Sequence, residues 1–174
     1  TAMDEALMSE ELIAPDKRDD WHEVRNYIDA MNTAVAELKA LPLSNRLLRQ
    51  THAILMRGVR GEHKMPGEFR TSQNWIGGSG LNDAAFVPPP EDLVVPLLED
   101  LVAFVARDDL PAVAQAAVAH AQFETIHPFL DGNGRIGRLL ITLFLLERGI
   151  LPRPLLYLSA FFEATRRDYY DRLL

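Results

Sequence analysis

Residues 127–140 read HPFLDGNGRIGRLL, and how they are read decides the fold. Within them, GNGRIG satisfies the dinucleotide pattern G-x-G-x-x-G. A dinucleotide loop needs a strand before its glycines, a helix after them, and a βαβ unit around both. The preceding segment is instead PAVAQAAVAHAQFETI, an alanine-rich helix opened by Pro111. Its small side chains suggest close packing on all sides in the centre of a bundle. With no parallel sheet to carry a dinucleotide, the Rossmann reading falls. The phosphate logic survives without it. Asp131, Gly132, Asn133 and Gly134 form a tight turn leading into a helix. Backbone N–H groups at such a turn converge on an anion, and the helix dipole assists.

Working outward, the helix after this turn is apolar on nearly every face through RLLITLFLLERG, 138–149, so it should be buried. Gly149 stops it, and Pro152 and Pro154 forbid its continuation. Upstream, Trp21, Val24, Ile28, Met31, Val35 and Leu38 recur at spacings of three and four, one stripe of an amphipathic helix over 16–39. Ser44 is placed to cap a second helix that runs through Leu47, Leu48, Ile54 and Leu55 and ends at Gly58. A further helix is expected over 91–107, and a last one, ATRRDYYDRLL, runs to the end. Only RTSQNWIGGSGLNDAAFVPPP, 70–90, looks extended. Two short apolar pieces flank a Gly/Asn/Asp-rich turn there, which reads as a β-hairpin flap, with an irregular loop as the alternative. The expected fold is all-α, one domain over 1–174, with a small β-hairpin.

Composition narrows the function. The 174 residues are 48% hydrophobic and 25% charged, the balance of a globular protein, and suffice for one buried core. Net charge is −7 and no Lys/Arg block occurs, which argues against nucleic acid as a partner. There is no Cys, so disulfides and thiolate metal sites are excluded. No apolar run approaches the roughly 20 residues of a membrane span, and a cytoplasmic location is the default expectation. The opening TAMDEALMSEEL is unlike a signal peptide and lacks an initiator Met, so a piece of a longer chain is expected.

The candidate site gathers around the turn. Arg135 and Arg138 share one face of the helix's first turn, where the dipole disfavours cations. A bound polyphosphate would reverse that penalty; pairing with carboxylates elsewhere is the other explanation. His127, biased out of αR geometry by Pro128, should end the preceding helix and face the turn. There it is a candidate general base, or a structural histidine. Asp131 suits Mg²⁺ shared with substrate phosphates, yet it and Asn133 also suit an ordinary N-cap. His120, Glu124 and His127 fall at i, i+4 and i+7, which could mimic a zinc site. The neighbouring phosphate turn makes it the better expectation that His120 and Glu124 support the site's residues or pack.

HPFLDGNGRIGR, 127–138, resembles the Fic family, matching its motif H-x-F-x-D-G-N-G-R-x-x-R at every fixed position. The resemblance extends to GEFRTSQNWIGG, 67–78, AHAQFETI, 119–126, and LLYLSAFFEATRRDYYDRL, 155–173. It implies a helical bundle with a β-hairpin flap, and transfer of AMP from ATP to a Ser, Thr or Tyr hydroxyl of a target protein. By that resemblance His127 would deprotonate the hydroxyl and Asp131 would hold Mg²⁺ on the phosphates. Gly132, Asn133 and Gly134 would form the anion hole, with Asn133 near the α-phosphate. Arg135 and Arg138 would clamp the β- and γ-phosphates, and Phe129 would anchor the loop. Tyr169 and Tyr170 match a pair that lies near the adenine in relatives, core packing being the alternative. Asn74, Trp75, Ile76 and Gly77 are the flap residues expected to pair with the target main chain. Self-modification and a homodimer are further partner expectations. The competing readings keep the fold but change the chemistry (removal of AMP, or another phosphate-group transfer), or make the domain a non-catalytic nucleotide-binding module. Many relatives carry an inhibitory helix, [S/T]-x-x-x-E-[G/N], whose Glu pairs with the second motif arginine, here Arg138. The nearest match, residues 1–6, fails at Ala6. The expectation is that the chain begins just after such a helix and, as written, modifies targets and itself constitutively.

Overall fold

The computed structural model describes residues 13, 14, 16, 18–59, 61–154 and 158–173, except the side chains at 159, 160, 163, 166 and 170. Residues 1–6, the nearest match to the inhibitory motif, lie outside that set. Helix α1 spans Arg18–Leu38 and buries Ala30, Met31 and Ala34, with the rest of its stripe half-buried. Helix α2, Asn45–Leu55, starts as expected at Ser44, whose extended backbone lets Oγ accept from Leu47 N–H at 3.4 Å. A 3₁₀ turn at Glu91–Leu93 leads into α3, Val94–Val105. Helix α4 is Ala112–Ile126 and α5 is Asn133–Glu147.

Helix α5 lies at the centre, packed against α4, α1 and α2. Ile136, Leu139, Leu140, Leu143 and Phe144 are all buried, as its apolar faces require. Gly149 leaves the helix at φ +67°, the stop the sequence indicated.

Two expectations change. Helix α4 is not enclosed. Ala116, Ala119, Phe123 and Ile126 form its buried stripe, while Val113 and Val118 stand 68% and 54% exposed. Alanines on every face permit close approach but do not choose the face. The last helix, α7 at Arg166–Leu173, falls where it was expected, and a further short helix, α6 at Leu158–Ala164, precedes it. Over 70–90 there is no strand ladder. Ile76 and Phe86 meet at a single antiparallel bridge, N–H to O at 2.9 and 3.1 Å. The reasons are local. Asp83 draws the Ser79 and Gly80 N–H groups onto its carboxylate at 2.8–3.0 Å. Prolines at 88–90 have no N–H to offer a ladder. No described helix is long and apolar enough to cross a membrane.

Candidate functional site

His127 closes α4. Its N–H donates to Phe123 O at 3.0 Å, and its backbone sits at φ 49°, ψ 59°, a left-handed conformation strained for any residue but glycine. The strain is held from outside the helix. The His127 carbonyl accepts from Arg70 Nε at 3.0 Å and Asn74 Nδ2 at 3.3 Å. Its Nδ1 lies 3.3 Å from the Glu124 carbonyl, which can only accept, so the ring proton belongs on Nδ1. Nε2 is left to take up a proton. Burial, before any other cause, lowers the imidazole pKa below its ordinary value, so the ring is neutral at pH 7.

The loop after it is built from reciprocal contacts. Phe129 N–H donates to Asn133 Oδ1 at 2.8 Å, and Asn133 Nδ2 donates to Phe129 O at 2.7 Å. Asn133 is buried, and its amide is bonded to the Phe129 main chain through Oδ1 and one of its two Nδ2 hydrogens. Phe129, fully buried, stacks on the His52 ring with centroids 3.8 Å apart. The Gly67 N–H donates to His52 Nδ1 at 2.8 Å, which puts the ring proton on Nε2, 2.9 Å from the Asp131 carbonyl. Burial lowers the His52 pKa to about 4 and keeps it neutral. Gly132 turns the chain at φ 78°, and a Cβ there would come 2.9 Å from Met56 Sδ. Its N–H is engaged by Asp131 Oδ1 at 2.6 Å. The anion-binding donors are thus narrowed to the first-turn N–H groups of α5, which have no carbonyl partner inside the helix.

The arginine pair diverges. Arg138 runs back toward the N-terminus of α5, and a Cβ on Gly134 would sit 3.1 Å from its Nη1. Arg135 turns to α1, with Nη1 3.5 Å from Glu23 and Nη2 3.8 Å from Asp131. The carboxylate-pairing explanation therefore holds for Arg135 in this conformation. A cavity of about 350 Å³ collects His127, Gly134 and Arg138 from the motif, Ile76 and Phe86 from the flap, and Tyr169 and Leu173 from α7. Asp131 and Arg135 lie outside its lining. Tyr169 bonds His120 Nε2 through its hydroxyl at 2.9 Å and stacks on Phe162, so it both packs and lines. The side chain of Tyr170 lies outside the described residues.

Among flap residues, Ile76 reaches the cavity and Trp75 is 42% exposed. Asn74 instead turns its amide onto the motif loop, at His127 O and at Phe129 O, 3.2 Å away. It latches the flap to the loop and does not present that amide to a target. No group of three His, Cys, Asp or Glu that could hold a metal occurs among the described residues. His120 faces Tyr169 and His127 faces Glu124 O, which disposes of a zinc triad. Asp131, with its side chain 40% exposed beside the anion turn, fits the single protein carboxylate that Mg²⁺ takes alongside substrate phosphates.

Sequence reading did not single out two residues that organise this site. Arg70, 2% exposed, donates to the carbonyls of His127, Ser72, Pro89 and Ile126. His52 pins Asp131. Their one sequence signal is a polar residue at a buried position, since His52 lies between Leu48 and Leu55 on the apolar stripe of α2.

Residues 42–145 match the Fic/DOC family. The chain is 34% identical over 116 residues to a probable protein adenylyltransferase of Aquifex aeolicus, covering 66% of this chain and 33% of that protein. It is 42% identical over 89 residues to the protein adenylyltransferase Fic of Drosophila willistoni, covering 49% and 16%. Among solved structures it is similar to a Fic family protein from Desulfovibrio desulfuricans, with TM-score 0.69, 26% identity, and 99% and 53% of the two chains covered. A Fic domain-containing signaling protein from Bacteroides thetaiotaomicron shares the fold, with TM-score 0.65, 24% identity, and 75% and 50% covered. The chain spans about half the length of these solved proteins and a third or less of the two curated relatives. With the family matched from α2 through nearly all of α5, and the helical arrangement shared with solved members, the chain belongs to the Fic/DOC family.

Proposed function

We propose that this domain transfers AMP from ATP to a hydroxyl of a protein. The observation that carries the reading is one cavity holding a neutral histidine with an available Nε2, the Arg138 guanidinium, and the N-terminal turn of a buried helix. The target oxygen attacks the α-phosphorus. Its proton passes to His127 Nε2, the bond from the α-phosphorus to the bridging oxygen breaks, and pyrophosphate leaves. Charge builds on phosphate oxygens that face the α5 N–H groups and Arg138, so positioning and fixed positive potential supply most of the catalysis. Asp131 would hold Mg²⁺ against the phosphates, where the ion neutralises their charge. Arg135 would exchange Glu23 for a phosphate oxygen. The flap would present its main chain near Ile76 to an extended target segment, registering a hydroxyl against His127.

The test is incubation with α-labelled ATP and a protein lysate, followed by mass spectrometry of adducts. Proteins carrying an added AMP are expected with the wild type. His127→Ala should reduce the rate by roughly 10²–10⁴-fold while leaving ATP affinity nearly unchanged, the range for loss of a general base. A variant retaining more than about a tenth of the rate would remove His127 from that role.

A further inference from the structure

Asp131 is the carboxylate that the mechanism above gives to Mg²⁺, and what holds it comes largely from outside the motif. The peptide joining Asp131 to Gly132 is a rigid plane, with a carbonyl on one edge and an N–H on the other. Both edges are gripped. The carbonyl accepts from His52 Nε2 at 2.9 Å, and the N–H donates to Asp131 Oδ1 at 2.6 Å. His52 is itself immobilised. It is fully buried on α2, stacked on Phe129, and its Nδ1 is committed to the Gly67 N–H, so Nε2 carries the proton given to Asp131. The second carboxylate oxygen, Oδ2, lies against the loop that follows α2. A Cβ added to Gly61 would come 2.5 Å from that oxygen and 2.7 Å from Met56 Cε. The carboxylate therefore occupies space that only a glycine leaves open.

We propose that His52 and Gly61 are positioning residues for the metal-bearing carboxylate, His52 by setting the Asp131–Gly132 peptide plane and Gly61 by leaving room for Oδ2. Without the His52 donor the plane can rotate and carry the Gly132 N–H away from Oδ1. The carboxylate then gains rotamers, and a metal must select one of them again. That ordering is charged to metal affinity, whereas nucleotide bound without metal does not draw on the carboxylate. This inference rests on the nucleotide reading of the site and on Asp131 as the Mg²⁺ ligand.

The experiment measures the affinity for α,β-methylene-ATP in excess Mg²⁺ and in EDTA, and the ratio of the two is the metal's contribution. Two substitutions separate the two ends of the ring. His52→Asn puts an oxygen where Nδ1 stood, keeping an acceptor for Gly67 and losing the donor to Asp131. His52→Gln puts an N–H where Nε2 stood, keeping that donor and losing the acceptor. Both lose the stack on Phe129, so a merely structural role moves them together. The metal's contribution is expected to fall about tenfold or more in His52→Asn, the usual cost of losing a residue behind a metal ligand, and to stay near wild type in His52→Gln. An undiminished contribution in His52→Asn overturns the inference, as does an equal loss in both variants, and either result leaves the nucleotide site standing. A wild type whose affinity ignores Mg²⁺ overturns the metal role of Asp131 and the inference with it. A wild type that binds no nucleotide overturns the nucleotide reading as well. Should the His52 variants fail to fold, Gly61→Ala decides, with Gly58→Ala as its control. Both glycines have positive φ, +90° and +63°, so alanine strains each, but a Cβ at Gly58 meets nothing within 4 Å. Gly61→Ala should lose the metal's contribution and Gly58→Ala should keep it. A Gly61→Ala variant that keeps it refutes the proposal.

Discussion

Replacing Arg70 with Met should cost this protein more stability than any other single arginine change. The side chain is 2% exposed and donates to four carbonyls drawn from two distant stretches, Ile126 and His127 on one side, Ser72 and Pro89 on the other. Met fills similar volume and offers no donor. At about 1 kcal/mol of net stability per hydrogen bond, the loss is about 4 kcal/mol, and more where a carbonyl is left dry. Two of the four carbonyls also lie at the C-terminal end of α4, where a cation is favoured by the dipole. Against a total of roughly 5–15 kcal/mol, this is about a quarter or more of the margin. For a chain of this size it corresponds to a fall in Tm of about 8–16 °C. Thermal unfolding followed by circular dichroism reads it directly. Arg25→Met is the control, since the Arg25–Asp29 pair has side chains about half exposed and should cost less than about 0.5 kcal/mol. Folded Arg70→Met should also lose transfer rate more than ATP affinity, because the left-handed His127 backbone loses the donor on its carbonyl. If Arg70→Met melts within about 2 °C of wild type, the clamp does not hold the two stretches together and the reasoning fails.

Gly137→Ala would gain about 1 kcal/mol of helix propensity on an open surface. Here the Cβ meets Glu124 Oε1 and His120, so net destabilisation of about 1–2 kcal/mol is expected in urea unfolding, and a stabilised variant would contradict the packing. Asp131→Ala should abolish transfer together with its dependence on Mg²⁺; unchanged Mg²⁺ affinity in the presence of ATP would place the ligand elsewhere. Acid should unfold the protein with a definite slope. Between pH 4.5 and 6.5, His52 and His120 are protonated when unfolded and neutral when folded, their folded pKa values being about 4, while Glu124 is protonated only when folded, at about 7. From these three groups the unfolded state binds about one proton more, and His127, also lowered by burial, adds in the same direction, so stability should fall by at least about 1.4 kcal/mol per unit of acidification. Glu124→Gln removes the opposing proton and should steepen the slope by about 1.4 kcal/mol per pH unit; an equal slope would mean that the Glu124 pKa is not raised.

Periodicity carried the helices because their burial is a matter of stripes. The α1 pattern, the Ser44 cap and the Gly149 stop each rest on interactions within a few residues, so each is legible in the chain. Helix α4 was misjudged because alanine permits burial without demanding it, and only tertiary packing leaves Val113 and Val118 outside. The flap was read as a ladder from its apolar pieces, but Asp83 captures tip N–H groups that two strands would need. The motif gave the position of the site and not the direction of its side chains. Spacing put Arg135 and Arg138 on one face, and the presence of Glu23 on α1 sends them apart. Arg70 and His52 went unseen because their partners are main-chain atoms, 57 residues away at His127 and 79 away at Asp131. Backbone acceptors have no residue type, so no pairing of letters announces them.

The division of labour within the motif follows from where its polar atoms go. Phe129 and Asn133 spend their exchange of hydrogen bonds on each other, and Gly132 gives its N–H to Asp131. These three residues build the loop that shapes the turn. The groups that can act on a ligand are His127 Nε2, the Asp131 carboxylate, Arg138 and the N–H groups of the α5 first turn. Each is held by something outside the motif: Arg70 and Asn74 fix His127, His52 fixes Asp131, and Glu124 backs the turn that carries Arg138. A loop with all its motif residues intact should therefore still fail when a supporting residue is lost. Activity would fall along different axes, transfer rate for Arg70 and metal dependence for His52. Those separate signatures distinguish a scaffold that positions chemistry from one that only keeps the chain folded.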